Sequence, residues 1–320
     1  MEIGIIKELI DQIKSNVQKV MVGKERVVEY LLTALLANGH VLMDDVPGTG
    51  KTMLAKTFAK SLHCDMKRVQ FTPDLLPSDI TGINFFNQST SEFELREGPV
   101  FTNILLADEI NRATPRTQSS LLEAMEERQV TIDGVTIPLS KPYLVIATQN
   151  PLDQQGTFPL PEAQMDRFLL KIGLGYPTWE EESVILSRFS ESNPLETLTH
   201  VIEPNQIIIL QQKLKHVFVS QDVKNYLLSI VLRTRQHPDL LFGASPRGSL
   251  QFYQACKANA LLQGRQFVIP EDVKRMAGPV LNHRLITRAG YSETSIVDAC
   301  MEDILRQVKA PTEIFEPASG

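Results

Sequence analysis

The sequence has few cysteines and no long apolar run. Its three cysteines, Cys64, Cys256 and Cys300, lie far apart and form no C-x-x-C pair, which gives no zinc-binding spacing and suits a reducing compartment. No stretch of the sequence approaches the ~18–20 apolar residues that cross a bilayer. The amphipathic residues 1–20 carry charges throughout and do not predict a signal peptide. We therefore expect a cytoplasmic protein without membrane insertion.

The chain also has no excess of positive charge. Lys and Arg number 32 against 38 Asp and Glu, a formal net charge of −6 at pH 7. Strong sequence-independent binding to nucleic acid needs clustered Lys and Arg, so we expect no strong binding to DNA or RNA. With 320 residues, the chain is long enough for two domains, since single hydrophobic cores stop growing near ~250–300 residues.

What the sequence does contain is a candidate phosphate-binding loop. Residues 45–53 read DVPGTGKTM and lie between an apolar segment and a segment with helical apolar spacing, the context that a P-loop requires. Gly48 and Gly50 allow backbone N–H groups to point at an anion, and the following helix N-terminus favours negative charge. We expect Lys51 to reach the β- and γ-phosphates and the Thr52 hydroxyl to bind Mg²⁺. The alternative is a chance G-x-G-K-T turn.

One position departs from the general pattern G-x-x-x-x-G-K-[ST]. Asp45 stands where the first glycine is expected. That glycine mainly eases the turn at the strand end, and Asp tolerates unusual backbone angles better than most residues. The nucleotide-binding loop is therefore predicted to consist of Asp45, Val46, Pro47, Gly48, Thr49, Gly50, Lys51, Thr52 and Met53.

Two acidic residues follow a later apolar run. Ile104 to Ala107 are apolar, and Asp108 and Glu109 come directly after them, at a strand end where open α/β sheets bind ligands. We expect Asp108 to hold Mg²⁺ together with Thr52, and Glu109 to orient and deprotonate the attacking water. The alternative is a strand that simply ends in solvated acids.

A third apolar run, Tyr143 to Ala147, is followed by Asn150. The amide of Asn both donates and accepts hydrogen bonds. Asn150 could therefore contact the attacking water and the γ-phosphate together. The alternative is an Asn that only caps the strand.

Two arginines complete the candidate site. Arg167 lies too far along the chain to serve its own phosphate site easily, so we expect it to act on a neighbouring subunit as an arginine finger. A salt bridge to Asp166 or Glu162 is the alternative. Arg247 falls in the first turn of a helix capped by Ser245, where an arginine opposes the helix dipole unless a phosphate or carboxylate is nearby. The alternative is a plain surface arginine.

Together these elements resemble the AAA+ ATPases, and specifically the MoxR family. The resemblance rests on MVGKE, DDVPGTGKT, ILLADEINRATPRTQSSLLEAMEERQVTIDG, ATQNP, GTFPLPEAQMDRF and GASPRGSL, and covers almost the whole chain from about Val22 to Leu285. It implies Walker A roles for Lys51 and Thr52, Walker B roles for Asp108 and Glu109, sensor 1 for Asn150, an arginine finger in Arg167 and sensor 2 in Arg247. An acidic residue at position 45 is usual in the MoxR family. Gly248 stands where alanine is expected, and we expect it only to soften the helix start.

The predicted fold class is α/β, with a five-stranded parallel P-loop (AAA+) sheet, helices on both faces and a smaller, all-helical C-terminal lid domain. The strands are predicted near 40–44, 66–71, 103–108, 143–148 and 168–172, and the later helices near 179–190, 204–216, 220–236, 246–263, 270–277 and 292–308. The predicted domains are the nucleotide-binding domain at 1–175, the lid at 176–310, which carries Arg247 over the nucleotide, and a tail at 311–320.

Two β-hairpin insertions are predicted, at about 79–100 and 128–140, the second with an Asp133-Gly134 type I′ turn. They are similar to MoxR insertions, one within a helix and one before sensor 1, and in a ring they would face the pore or the next subunit. Neither has a conspicuous aromatic residue at its tip, so plain surface hairpins are the alternative.

The resemblance implies an ATP hydrolase that uses ATP and Mg²⁺ and assembles into a ring, expected to be a hexamer. Its implied role is chaperone-like remodelling or assembly of a client protein, often alongside a partner with a von Willebrand factor A domain. Nothing in the sequence identifies the client. Two alternatives are a DNA-handling AAA+ motor, which the acidic charge disfavours, and a nucleotide-dependent scaffold with little turnover, which Glu109 and Arg167 disfavour. A magnesium-chelatase-like subunit has the same engine, but the sequence has no porphyrin-specific feature.

Overall fold

The computed structural model describes residues 3–150, 156–191, 193–288 and 294–311. The strands in these ranges are β1 (Val41–Asp44), β2 (Met66–Gln70), β3 (Gly82–Asn87), β4 (Glu92–Glu97), β5 (Ile104–Asp108), β6 (Gln129–Ile132), β7 (Val135–Pro138), β8 (Leu144–Gln149), β9 (Leu170–Ile172), β10 (Leu240–Phe242) and β11 (Ile286–Thr287). The tail predicted at 311–320 lies outside the described residues except for residue 311.

The helices in the same ranges are α1 (Ile3–Gln18), α2 (Glu25–Leu36), α3 (Lys51–Ser61), α4 (Pro77–Thr81), α5 (Pro115–Glu127), α6 (Glu162–Met165), α7 (Trp179–Glu191), α8 (Pro204–Leu214), α9 (Gln221–Thr234), α10 (Pro246–Leu262), α11 (Pro270–Leu281) and α12 (Thr294–Gln307). None of the described helices is long and apolar enough to cross a membrane.

The central sheet has five parallel strands in the order β2-β5-β8-β1-β9, which confirms the predicted sheet. Asp44 at the end of β1 pairs with Gln149 of β8, and Ala107 of β5 pairs with Ala147 of β8. Because parallel strands end at one edge, the P-loop, Asp108 and the end of β8 meet at this carboxyl edge.

Both faces of the sheet are covered, because successive strand residues point to opposite sides. Leu106 and Ile146 belong to one core cluster with apolar residues of α1, α2 and α3. Leu105 and Val145 belong to a second cluster with apolar residues of α5. The sheet is therefore the middle layer of a three-layer α/β core.

After β9 the chain is mainly helical, as predicted, with one short antiparallel pair, β10 and β11, that the sequence did not predict. Phe252 and Ala255 of α10 belong to the same core cluster as Leu31 and Leu35 of α2. The apolar core is therefore continuous between the N-terminal helices and the C-terminal helices. The domain boundary near residue 175 stays a prediction.

The first hairpin, β3–β4, differs in one respect from the expectation. It begins where α4 ends and is followed by β5, so it lies between a helix and a strand and not within a helix. Its aromatic residues lie along the strands and not at the tip. Phe86 and Phe93 form a cross-strand pair with ring centroids 5.4 Å apart, and Phe93 is 74% exposed.

The second hairpin, β6–β7, turns at Asp133 and Gly134 with φ values of 48° and 82°, as the predicted type I′ turn requires. Asn84 Nδ2 of the first hairpin donates to Asp133 Oδ2 at 2.9 Å. The two hairpins therefore contact each other.

Candidate functional site

The loop after β1 has an open, positively polarised interior. Gly48 and Gly50 have φ values of 85° and 94°, which only glycine adopts readily. The backbone N–H groups of residues 48–51 have no acceptor in the described part of the chain. Pro47 and Gly48 are exposed, and Thr52 and Met53 lie in the first turn of α3. An anion at this helix N-terminus would be bound by both the N–H groups and the helix dipole.

Lys51 and Thr49 both bond to the loop's own backbone. Lys51 Nζ donates to the carbonyls of Asp45 at 2.8 Å and Val46 at 3.3 Å. Thr49 Oγ1 donates to the Val46 carbonyl at 3.3 Å. The Lys51 ammonium is thus folded over the loop and would exchange these carbonyls for phosphate oxygens.

The explanation for Asp45 at the first-glycine position needs a correction. Asp45 is not among the residues with positive φ, so tolerance of unusual angles is not the reason for an aspartate here. Its buried carboxylate accepts the backbone N–H groups of Leu174 and Gly175, the latter at 3.3 Å. Asp45 therefore joins the P-loop to the segment that leads from β9 to α7.

Asp108 is buried at the end of β5 and has two partners. Thr148 Oγ1 donates to Asp108 Oδ1 at 2.6 Å. The Arg68 guanidinium, from edge strand β2, donates to Oδ2 at 2.6 Å through Nη2 and at 3.2 Å through Nε. Both carboxylate oxygens are therefore hydrogen-bonded, one to a neutral hydroxyl and the other to a guanidinium.

Glu109 is held in a strained backbone conformation. Its φ is 57°, a left-handed value that costs a non-glycine residue of order 1–3 kcal/mol. Its N–H donates to Thr148 Oγ1 at 2.9 Å. Its Oε2 atom accepts Gln70 Nε2 at 2.6 Å and lies 3.0 Å from Arg112 Nε. Such strain is typical of functional positions, because the surroundings must over-determine it.

Asn150 follows the last residue of β8 and is only 8% exposed. Since β8 lies between β1 and β5, Asn150 is positioned between the P-loop and the Asp108–Glu109 pair. The three sequence elements predicted to act on the nucleotide thus meet at one edge of the sheet.

Arg167 and Arg247, the two arginines predicted for the site, lie together beside Glu126. Arg167 Nε is 3.2 Å from Glu126 Oε2, and Arg247 Nη2 is 2.7 Å from Glu126 Oε1. Arg167 therefore pairs with Glu126, whereas the alternative interpretation held a salt bridge to Asp166 or Glu162. The carboxylate that Arg247 needs near a helix N-terminus is the same Glu126.

This arginine pair lies at the amino edge of the sheet. Arg167 precedes β9, whose first residue, Leu170, pairs in parallel with Val41, the first residue of β1. Glu126 lies in the last turn of α5, and Arg128, the C-cap residue of that helix, donates to the carbonyl of Asn38 just before β1. The P-loop follows the opposite end of β1. Arg247 contacts Glu126 in this structure, and its expected role at a nucleotide stays a prediction.

A buried arginine, Arg284, contacts Asp166, the residue that precedes Arg167. Arg284 Nε donates to Asp166 Oδ1 at 2.6 Å, and Ser245 Oγ donates to Asp166 Oδ2 at 2.8 Å. Burial lowers the pKa of Arg284 to about 10, against the opposing effect of Asp166. A Cβ atom on Gly248 would lie 2.9 Å from Arg284 Cδ. Glycine at 248 is therefore explained by the space that Arg284 needs, not by a softer helix start.

Two parts of the chain match models of known protein families. Residues 40–170 match the family model of ATPases associated with various cellular activities (AAA), and residues 232–304 match the AAA lid domain. The protein YeaC of Bacillus subtilis is 48% identical over 95% of this chain and 96% of that protein. Chaperone MoxR1 of Mycobacterium tuberculosis is 41% identical over 95% of this chain and 83% of that protein.

The chain belongs to the MoxR family of AAA+ ATPases. Protein MoxR of Paracoccus denitrificans is 29% identical over 91% of this chain and 93% of that protein. A crystal structure from Cytophaga hutchinsonii, described as a candidate ATPase, superposes with a TM-score of 0.89 at 38% identity and covers 97% of both chains. The predicted MoxR-family membership and fold class are confirmed.

Several residues of this MoxR-family site were not found from the sequence. Thr148 could have been found, because it is a polar residue at the end of an apolar strand that neighbours Asp108. Arg68 and Gln70 lie on a strand with mixed exposure, where charged residues also indicate a solvated edge. Glu126 carries no local signal, since it is one acid of several near the end of α5.

Proposed function

We propose that the protein hydrolyses ATP in the presence of Mg²⁺ at the carboxyl edge of its sheet. The observation that carries this proposal is the set of unpaired N–H groups at residues 48–51, next to Lys51 and across from Asp108 and Glu109. Backbone donors at a helix N-terminus suit phosphate, and an acidic pair beside them suits metal-assisted attack by water.

The nucleotide would bring Mg²⁺, held by Thr52 and Asp108, which would neutralise charge that develops on the phosphates. Both residues present oxygen ligands, which Mg²⁺ prefers. Arg68 now donates to Asp108 Oδ2 at 2.6 Å, so this ion pair must open when the carboxylate takes a metal ion. Lys51 would leave the loop carbonyls for phosphate oxygens.

Glu109 would accept a proton from the attacking water, with Asn150 orienting that water. Gln70 and Arg112 now hold the Glu109 carboxylate. These donors occupy the Glu109 carboxylate, so Glu109 would become active when the contacts are exchanged for water. Thr148 would keep the Glu109 backbone in place during this exchange, because its hydroxyl accepts the Glu109 N–H.

Arg167 and Arg247 would act on the nucleotide of a neighbouring subunit. Their shared contact with Glu126 at the amino edge supports this, because the chain's own P-loop follows the opposite ends of the strands. Arginine supplied in trans can stabilise transition-state charge by ~10³–10⁵-fold in rate. The active unit would then be a ring, proposed to be a hexamer.

The 41% identity to Chaperone MoxR1 of Mycobacterium tuberculosis supports a chaperone-like role, in which hydrolysis remodels or assembles a client protein. A partner with a von Willebrand factor A domain is part of this proposal.

The test is a subunit-mixing experiment between Glu109→Gln and Arg167→Ala. Each variant alone should bind ATP and show little turnover. An equal mixture should recover about a quarter of wild-type turnover, because half of the sites keep Glu109 and half of their neighbours keep Arg167. Mixing Glu109→Gln with Arg247→Ala should give the same recovery if Arg247 also acts in trans, and none if it acts in cis.

Size measurements on each mixture provide the control that the variants assemble together. Failure of co-assembled Glu109→Gln and Arg167→Ala to recover turnover would contradict the shared site. ATP binding by wild type without turnover would instead support the scaffold interpretation.

A further inference from the structure

Three potential metal ligands lie together away from the nucleotide site. His63 follows the end of α3, and His200 and Glu203 lie just before α8. His63 Nδ1 is 2.8 Å from Glu203 Oε2, and His200 Nε2 is 3.1 Å from Glu203 Oε1. The two imidazole rings stack with centroids 4.2 Å apart and an interplanar angle of 8°. Both histidines thus face one carboxylate, each at a different oxygen.

The two segments that carry these ligands are fixed to each other by other bonds. Val201 N donates to the Ser61 carbonyl at 2.9 Å. Buried Asn16 donates through Nδ2 to Ser61 Oγ at 3.0 Å and to the Thr199 carbonyl at 2.8 Å. The ligand backbones are therefore in place before any ion binds, which lowers the ordering cost of binding.

The backbone of the carboxylate ligand is also fixed. Glu203 is the N-cap residue of α8, where its N–H donates to Gln206 Oε1 at 2.9 Å and its backbone carbonyl accepts the Gln206 N–H at 2.9 Å. The ligand residue therefore does not have to be ordered when an ion binds.

We propose that His63, His200 and Glu203 form a binding site for a divalent transition-metal ion, with Zn²⁺ as the best fit. Their ligand atoms lie within 4.8 Å of one another. Tetrahedral zinc, with bonds of ~2.0–2.2 Å, has ligand atoms about 3.3 Å apart, so small rotations of half-exposed side chains complete the geometry. Water takes the fourth position. Mg²⁺ prefers oxygen ligands, so the ion that accompanies a nucleotide does not compete.

Nearby and rival thiols fit a metal less well. Cys64 is next to His63, but its side chain is buried and its sulfur is not among the ligand atoms that lie within 4.8 Å of one another. A second group, His237, Asp239 and Cys300, also has ligand atoms within 4.8 Å. Burial raises the pKa of the Cys300 thiol as well, which disfavours the thiolate that metals bind.

The proposed site lies at the far end of the helix that begins at Lys51. This helix has 11 residues, about 16 Å at ~1.5 Å per residue. A bound ion would tie the end of α3 to the segment entering α8. Because the ion would bind only the folded chain, it would raise the unfolding temperature.

The experiment is calorimetric titration of Zn²⁺ into the full chain without a polyhistidine tag or nucleotide. We expect one ion per chain in wild type and a loss of affinity of about tenfold or more in His63→Ala and His200→Ala, since these are direct ligands. His216→Ala is the matched control, because His216 is an exposed histidine beyond the other end of α8. It should bind Zn²⁺ as wild type does.

A second readout guards against variants that fail to fold. Without metal, all variants should unfold at the wild-type temperature, because the His63, His200 and Glu203 side chains are 58%, 47% and 51% exposed. Zn²⁺ should raise that temperature in wild type and His216→Ala only. His237→Ala, a variant of the second group, is titrated as well. The proposal is overturned if wild type binds no Zn²⁺, if His63→Ala binds it as wild type does, or if binding is lost only in His237→Ala.

Discussion

Replacing Asp45 by glycine would restore the general P-loop pattern, and we predict that it destabilises this protein. The Asp45 carboxylate accepts backbone N–H groups from Leu174 and Gly175. From the other side, Lys24 Nζ donates to the carbonyl of Leu174 at 3.0 Å and to that of Gly175 at 3.4 Å. Asp45 thus binds backbone N–H groups, and Lys24 binds backbone carbonyls, of the segment between β9 and α7.

The expected magnitude follows from these contacts. A hydrogen bond to a charged group contributes about 1.5–3 kcal/mol, and of the two bonds one is long at 3.3 Å. We count them together as about 2–3 kcal/mol. Glycine adds about 0.5–1 kcal/mol of backbone entropy. Asp45→Gly should therefore lower the free energy of unfolding by about 3 kcal/mol, and Asp45→Asn, which keeps one acceptor, by about half of that.

The assay is urea unfolding of wild type and both variants, together with binding of a fluorescent ADP analogue. We expect ADP binding to be retained, because the Gly48, Gly50 and Lys51 geometry does not depend on the carboxylate. Asp65→Gly is the matched control for backbone entropy, since Asp65 is exposed and outside regular structure. If Asp45→Gly loses no more stability than Asp65→Gly, the carboxylate does not hold the segment and our explanation of position 45 is wrong.

Two further predictions concern the core. Gly248→Ala should lower the free energy of unfolding by about 1–3 kcal/mol through overpacking, because the new Cβ would lie 2.9 Å from Arg284 Cδ. The control is Gly278→Ala in α11, which should be neutral or stabilising because its nearest contact is at 3.6 Å. Equal effects of the two substitutions in urea unfolding would refute the reasoning. Burial lowers the pKa of His40 from 6.5 to about 3, so the stability present above pH 6.5 should fall by about 1.4 kcal/mol per pH unit below it. The slope of the unfolding free energy against pH, measured between pH 6 and pH 4.5, should be smaller in His40→Gln. An unchanged slope would contradict this.

The fold could be predicted from the sequence because its signals are local. The strands β1, β5 and β8 are apolar runs that end in polar residues, as at Ala107–Asp108, and helix caps such as Ser245 are visible within a few positions. The Ser245 hydroxyl does accept the Gly248 N–H at 3.0 Å. The pair β10–β11 was missed because strands of three and two residues are too short to show an alternating pattern.

The contacts of the site could not be predicted in the same way, because they join distant parts of the chain. Asp45 meets Leu174, which lies 129 residues away, and Arg247 meets Glu126, which lies 121 residues away. Neither acid differs in local pattern from a solvated one. Residue types and strand ends therefore identified the candidate chemistry, while the partners that orient it depend on packing.

The position of Glu126 also bears on how subunits would associate. In the proposed mechanism each chain supplies two different parts of a shared site from opposite edges of one sheet, a P-loop with two acids and a pair of arginines. A two-fold interface brings the same patch of both subunits together, and one such patch cannot include both edges of the sheet. A head-to-tail interface joins unlike patches, and it closes into a ring where the rotation between successive subunits completes a circle. We infer that Glu126 holds Arg167 and Arg247 until the more strongly charged phosphates of a neighbour's nucleotide replace its carboxylate.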